Sequence, residues 1–174
     1  MAGPKGDERA WVRGAQAGSA SDFEALFRAH WPSAYRTAYL VVHDAAAAED
    51  IAQEAFLAAV RNLDRFDRRR PFGPWLHRIV VNRAIDWSRR RALRGEVELH
   101  DSGAEQGGPD VGSETVGAMR RLSPEHRAVI VLRHLLGYTP GEIARLLDLP
   151  RGTVNSRLRR GLDQLQDAVE GERP

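Results

Sequence analysis

Between Gly95 and Ser113 the chain carries Gly95, Gly103, Gly107, Gly108, Gly112 and Pro109 but no lysine or arginine, while on both sides of it apolar residues recur at helical spacing. A stretch of that composition offers no apolar face to bury, so it reads as a linker rather than a folded element. The chain of 174 residues is thereby divided into two short units, each able to bury only a modest core. The expected division is a flexible N-terminal arm over 1–20, a first module over 21–93, a flexible acidic linker over 94–113 and a second module over 114–170. The fold class expected is all-α, two small helical domains, with no segment patterned as a strand and no internal repeat.

Charge follows the same division. Residues 1–60 hold five basic and eight acidic side chains, 61–94 hold eleven and three, 95–117 hold none and six, and 118–174 hold ten and seven, so the net charge runs −3, +8, −6, +3. Lys5 is the single lysine among 26 basic residues. Arginine is the side chain whose planar fork matches phosphate and the guanine edge, and its concentration in one segment points to an anionic partner. Several chemistries are excluded at once. Without cysteine there is no disulfide, thiolate metal site or thiol nucleophile. The six histidines form no pair at helical ligand spacing, and no apolar run approaches the roughly 18 residues of a membrane span. The expectation is a soluble cytoplasmic protein with no signal peptide, membrane insertion, metal or cofactor.

In the first module Ser21 and Glu24 are spaced as a capping box before Phe23, Leu26, Phe27, Tyr35 and Tyr39, with Pro32 expected to kink or interrupt that helix. A second helix is expected after Asp44, followed by a loop from Asp64 to Pro71. Pro74 then opens a third helix running to about Leu93. Along it Arg78, Asn82, Asp86 and Arg89 share one stripe, while Leu76, Val80, Ala84 and Trp87 fall on the other. The loop supplies Phe66, Arg68, Arg69, Arg70 and Phe72, and the stripe is flanked by Arg83, Arg90, Arg91 and Arg94. Arginines beside aromatics attract single-stranded nucleic acid through phosphate pairing and base stacking. The tryptophans read as core.

In the second module Ser123 and Pro124 open an apolar helix that stops near Gly137. Thr139, Pro140 and Glu142 spell a helix start with a capping box, Asp148 marks its end, and another helix begins near Thr153 with Val154, Leu158, Leu162, Leu165 and Val169 facing inward. Helix, short turn and helix make a helix-turn-helix. The second helix of such a pair presents its exposed side to the major groove, here Asn155, Ser156, Arg159 and Arg160 with Arg151 and Thr153 at its start. Asp148 stands where many such turns use glycine, and aspartate tolerates the left-handed conformation better than most residues.

Three segments, AEDIAQEAFLAAVRNLDRF, FGPWLHRIVVNRAIDWSRRR and LSPEHRAVIVLRHLLGYTPGEIARLLDLPRGTVNSRLRRGLDQL, occur in this order. The ordered set resembles the extracytoplasmic-function sigma factors of bacterial RNA polymerase over about residues 21–93 and 114–168. The resemblance implies that the first module is sigma region 2, a helical bundle in which Asp50, Gln53 and Glu54 meet the clamp helices of the polymerase beta-prime subunit, with Phe56 and Leu57 packing inside. It implies that the loop and the Asn82–Asp86 helix capture an unpaired base of the −10 element. The second module resembles sigma region 4, which reads the −35 element and engages the beta flap. An anti-sigma factor between the modules is a further expected partner, and no small-molecule substrate is. Twenty linker residues reach about 70 Å, comparable with about 20 base pairs of duplex. Glu96, Glu98, Asp101, Glu105, Asp110 and Glu114 repel phosphates, so the linker is expected in a basic polymerase channel used by RNA.

Two other classes compete. A stand-alone repressor or activator is supported by the helix-turn-helix alone, and such a protein should bind duplex operators tightly by itself. An enzyme using Asp50 and Glu54 lacks a metal-ligand cluster, and Gly107-Gly108 is no phosphate loop. No catalytic residue is expected.

Overall fold

The computed structural model describes residues 4–95 and 113–170. The acidic linker expected over 94–113 lies almost wholly outside the described residues. Eight α-helices are described: α1 Pro4–Gln16, α2 Ala20–Val42, α3 Ala45–Asn62, α4 Phe72–Leu93, α5 Ser113–Arg120, α6 Pro124–Ile130, α7 Pro140–Leu147 and α8 Arg151–Glu170. A 3-10 turn, Leu63–Arg65, follows α3, and a wide π turn, Val131–Leu135, extends α6. No strand occurs among the described residues.

Local chemistry accounts for the helix ends. Ser19, not Ser21, caps α2, its hydroxyl accepting from the Asp22 N–H, so the expected capping box with Glu24 is corrected. Pro32 removes one intrahelical hydrogen bond, yet α2 runs through it. The helix is held there by Phe27, Trp31 and Tyr35, which stack in series and cover Phe56 of α3. Asp44 caps α3 as the sequence predicts, accepting from Ala47 N–H at 2.9 Å. In the second module the Thr139–Glu142 capping box forms and Pro140 occupies the first turn of α7. Asp148 takes the left-handed conformation at φ 54°, the one its position between α7 and α8 requires.

Two further expectations are corrected, and one helix is added. The arm expected over 1–20 is a docked helix from Pro4 to Gln16, its first three residues lying outside the described ones: α1 packs on α2 with Val12 buried, and Gly14 permits the close approach, since a Cβ there would fall 1.8 Å from an Asp22 carboxylate oxygen. α5 is the added helix, ahead of the apolar α6, and it carries Met119, followed by Leu122, into the core. On α8, Val154 and Leu158 are buried but Leu162 is exposed.

The two modules touch. Their buried residues, Leu26, Phe56, Phe72 and Leu76 in one and Val129, Leu132, Ile143 and Val154 in the other, belong to one continuous cluster. Polar contacts bridge them at three places or more among the described residues. Arg127 on α6, almost fully buried, donates to the Val41 carbonyl at 2.6 Å and to His43 Nδ1 at 3.0 Å. A guanidinium can only donate, so His43 carries its proton on Nε2, an atom buried without a partner. Burial, with repulsion from Arg127 and Arg120, lowers the His43 imidazole to about 3. Arg89 on α4 pairs with Glu125 on α6 at 2.8 Å. The left-handed Gly137 turns the chain at the end of the π segment so that the Tyr138 hydroxyl lies 2.8 Å from His77 Nδ1. Ser33 Oγ, which donates to the His30 carbonyl, lies 3.0 Å from His77 Nε2. Burial pushes His77 down to about 4, so it is neutral at physiological pH, accepting from Tyr138 and donating to Ser33.

Candidate nucleic-acid interface

The first candidate surface is built on α4. Residues spaced by four and three turn one side of it outward, and Arg78, Asn82, Asp86, Arg89 and Arg90 are all exposed, while Leu76, Val80 and Ala84 are buried on the opposite side. Trp75, Arg78, Ile79, Asn82, Arg83, Asp86 and Arg90 line a groove of about 510 Å³. Its lining combines an indole and an isoleucine with an amide, a carboxylate and three guanidinium groups. Such a groove can stack a base, hydrogen-bond its edge and hold the adjoining phosphates. A second cleft, about 690 Å³, adjoins it between the modules, with Arg65, Arg70, Trp75 and Arg78 on one side and Tyr138 and Arg145 on the other.

The basic loop before α4 is a compact turn. Asp67 accepts from the Arg69 backbone at 3.0 Å and from its side chain at 3.0 and 3.1 Å, and these hydrogen bonds hold the Asp67 carboxyl below the usual range. Arg68, Arg69 and Arg70 project into solvent. Phe66 does not. Its ring packs against Phe72 and Trp75 with 8% of the residue exposed, so the expected stacking role is corrected: an aromatic flanking an arginine run was the cheapest group to bury where α3 meets α4. Trp75 and Trp87 are half-buried, and Trp87 is covered by the Arg91 guanidinium at 5.1 Å.

Not every expected arginine is free. Arg89 is held by Glu125, and Arg83 by Glu54 across α3 and α4 at 2.6 Å. Arg68, Arg70 and Arg78 have no ion-pair partner among the described residues.

The second surface is α8. Arg151, Asn155, Arg159 and Arg160 are exposed, Thr153 and Ser156 half-buried at its edge, and Val154 and Leu158 anchor the helix beneath. Spacings of four residues align Arg151, Asn155 and Arg159 along one stripe.

On α3 the exposed stripe holds Asp50, Gln53 and Glu54, with Gln53 donating to Glu49 at 3.2 Å. Phe56 packs inside as expected, but Leu57 does not: it is 54% exposed, and Val60 is 48% exposed beside it. Two large apolar side chains facing water among amides and carboxylates are the composition of a protein contact. Their register with Gln53 was the available signal. Among the described residues no group of three acidic or histidine side chains is arranged to hold a metal, and no helix is long and apolar enough to cross a membrane.

Two separate arginine-bearing surfaces, one on α4 and one on α8 of the helix-turn-helix, define a helical DNA-binding protein of two modules. The sequence matches the models of sigma-70 region 2 over residues 26–94 and of sigma-70 region 4 over residues 115–165. It is 36% identical over 156 residues to an ECF RNA polymerase sigma factor, SigE of Mycolicibacterium smegmatis, covering 83% of this chain and 60% of that one. It is 32% identical over 152 residues to the ECF sigma factor SigW of Bacillus subtilis, covering 76% of this chain and 80% of that one. The fold is shared with CnrH, solved in complex with the cytosolic domain of CnrY, at a TM-score of 0.74 and 27% identity, covering 96% of this chain and 99% of that one. The chain belongs to the ECF sigma factors of the sigma-70 family.

Proposed function

We propose that this chain binds core RNA polymerase and directs promoter-specific initiation, with the α4 groove and basic loop taking the −10 element and α8 taking the −35 element. The observation that carries the residue assignment is the groove whose lining brings Asn82 and Asp86 together with the Trp75 indole and with Arg78, Arg83 and Arg90. Asn82 and Asp86 offer the donors and acceptor that discriminate a base edge, and Arg68, Arg69, Arg70, Arg89 and Arg90 hold the strand. On α8, Arg151, Thr153, Asn155, Ser156, Arg159 and Arg160 face a duplex major groove. Asp50, Gln53 and Glu54, joined by exposed Leu57 and Val60, meet the polymerase clamp helices. The reading requires no cofactor and no bond-making by this chain, puts it in the cytoplasm with its polymerase, and gives it an anti-sigma factor as partner; a protein partner is in keeping with CnrH, which was solved in complex with the cytosolic domain of CnrY.

Run-off transcription with purified core polymerase on genomic promoter fragments tests it. Promoter-dependent transcripts are expected, with Asn82→Ala impairing opening or −10 selection and Arg160→Ala impairing promoters that depend on the upstream element. Polymerase binding without a transcript from any fragment would defeat the functional reading. Equal activity of both variants on every promoter would defeat the residue assignment alone. Tight, specific duplex binding without polymerase would instead mark a stand-alone regulator.

A further inference from the structure

The loop that carries Arg68, Arg69 and Arg70 is fastened at both ends by side chains of α1, a helix outside the sigma-70 region 2 match. At the start, both amide hydrogens of Gln16 are used: Nε2 donates to the Leu63 carbonyl at 2.9 Å and to the Phe66 carbonyl at 2.8 Å. These carbonyls close the 3-10 turn and open the loop. At the far end the residue preceding α4 is Pro71, which has no side-chain cap to offer. The Phe72 N–H is taken instead by Glu8 Oε1 at 2.8 Å, and the other oxygen of that carboxylate lies 3.1 Å from His30 Nε2. An anionic cap at that point meets the positive end of the α4 dipole and satisfies one of its orphan donors.

Between the two anchors the chain from Phe66 to Phe72 is a short arch. The Asp67–Arg69 contacts tighten its crown, and Phe66 and Phe72 are its buried feet. A loop pinned at both feet loses less freedom when a ligand orders it, and its arginines stand at set positions relative to the α4 groove.

We propose that Gln16 and Glu8 are positioning residues for −10 recognition: α1 braces the arch and sets the register of its arginines against Asn82 and Asp86. The inference rests on the assignment of the loop and groove to the −10 element.

Two measurements on the full chain decide it. In the free protein, amide hydrogen exchange at Phe72 is expected to be at least tenfold faster in Glu8→Ala than in the parent, with Glu8→Gln, which keeps an acceptor oxygen, restoring most of the protection. In holoenzyme reconstituted with core polymerase, transcription is compared between a preferred promoter and single-base variants of its −10 and −35 elements. Gln16→Ala and Glu8→Ala are expected to lower −10 discrimination threefold or more, leaving −35 discrimination and polymerase affinity unchanged, with Glu8→Gln close to the parent. Unchanged −10 discrimination in folded Gln16→Ala and Glu8→Ala proteins, or an equal loss at both elements, would overturn the brace. Arg69→Ala and Arg70→Ala separate the two failures. If they leave −10 discrimination intact, the loop assignment itself is wrong; if they alter it while Gln16→Ala and Glu8→Ala do not, only the brace is.

Discussion

The first module holds its reading surface through partners 47 to 64 residues apart, Gln16 on Leu63 and Phe66 and Glu8 on Phe72, whereas the second holds α7 through a capping box whose members are three residues apart. The second is a unit whose turns are specified where they occur. The first caps α2 and α3 locally, at Ser19 and Asp44, but leaves the start of α4 to a side chain of α1. A local cap costs little chain entropy to form, while a distant one forms only after the loop between its partners has closed. The first module should therefore fail by losing a shared junction, the second by losing a single cap.

The sharpest way to break that contrast is Phe72→Ala. This ring is fully buried where α4, the basic loop and α2 meet, touching Phe66, Trp75 and His30, so its loss should cost about 3–5 kcal/mol in denaturant unfolding. A cost under about 1 kcal/mol would show that the junction is not the keystone of the first module.

Acid comes next. His77 and His43 have folded values of about 4 and about 3, below the unfolded value of about 6.5. The unfolded chain therefore binds more protons throughout that window. The contribution of the neutral rings is complete above about pH 6.5 and is lost as pH falls towards about 4 for His77 and about 3 for His43, at about 1.4 kcal/mol per pH unit for each ring. Both rings lie at the contact between modules, so acid should loosen that contact before it melts either core. Denaturation curves below about pH 6.5 should show it, and His77→Gln should flatten part of the slope. Stability independent of pH in this range would remove the histidines from the contact.

Thr139→Ala removes one member of the capping box and should cost about 1 kcal/mol, confined to the second module. Exchange protection in α7 should fall while that in α2 and α3 stays. The smallest change has the opposite sign. Asp148→Gly relieves a left-handed residue and should stabilise by up to about 1 kcal/mol, raising the melting temperature by a few degrees. A loss of stability would show that the Asp148 side chain makes an indispensable contact.

What was legible in the sequence follows the same line. Asp44, Ser123, Thr139 and Asp148 act at short range, and each was readable because cap and capped amide lie in one turn. The stripes on α4 and α8 were readable because exposure follows helical period. The docking of α1, the burial of Phe66 and the contact between modules depend on which distant surfaces meet, and nothing within a window of a few residues encodes that. Arg127 shows the limit best. In the polar first turns of α6, after Glu125 and His126, an arginine reads as a solvent-facing position, yet its guanidinium is buried because the end of α2 presents a carbonyl and an imidazole to receive it. Leu57 marks the reverse error, since an apolar residue beside Phe56 reads as core and faces water.

The 2.6 Å contact of Glu54 with Arg83 joins the α3 stripe to the rim of the α4 groove. A carboxylate drawn to an outside partner releases the guanidinium, and a guanidinium drawn to a phosphate releases the carboxylate. Thermodynamic reciprocity makes the two effects equal in free energy. Because both groups are substantially exposed, the exchange is limited to about 1 kcal/mol, roughly a fivefold change in affinity in either direction. At that size the pair acts as a trimmer rather than a gate: it shades how strongly one face of the bundle responds to occupancy of the other, and charge substitutions at position 54 should be felt at position 83 without any movement of the helices between them.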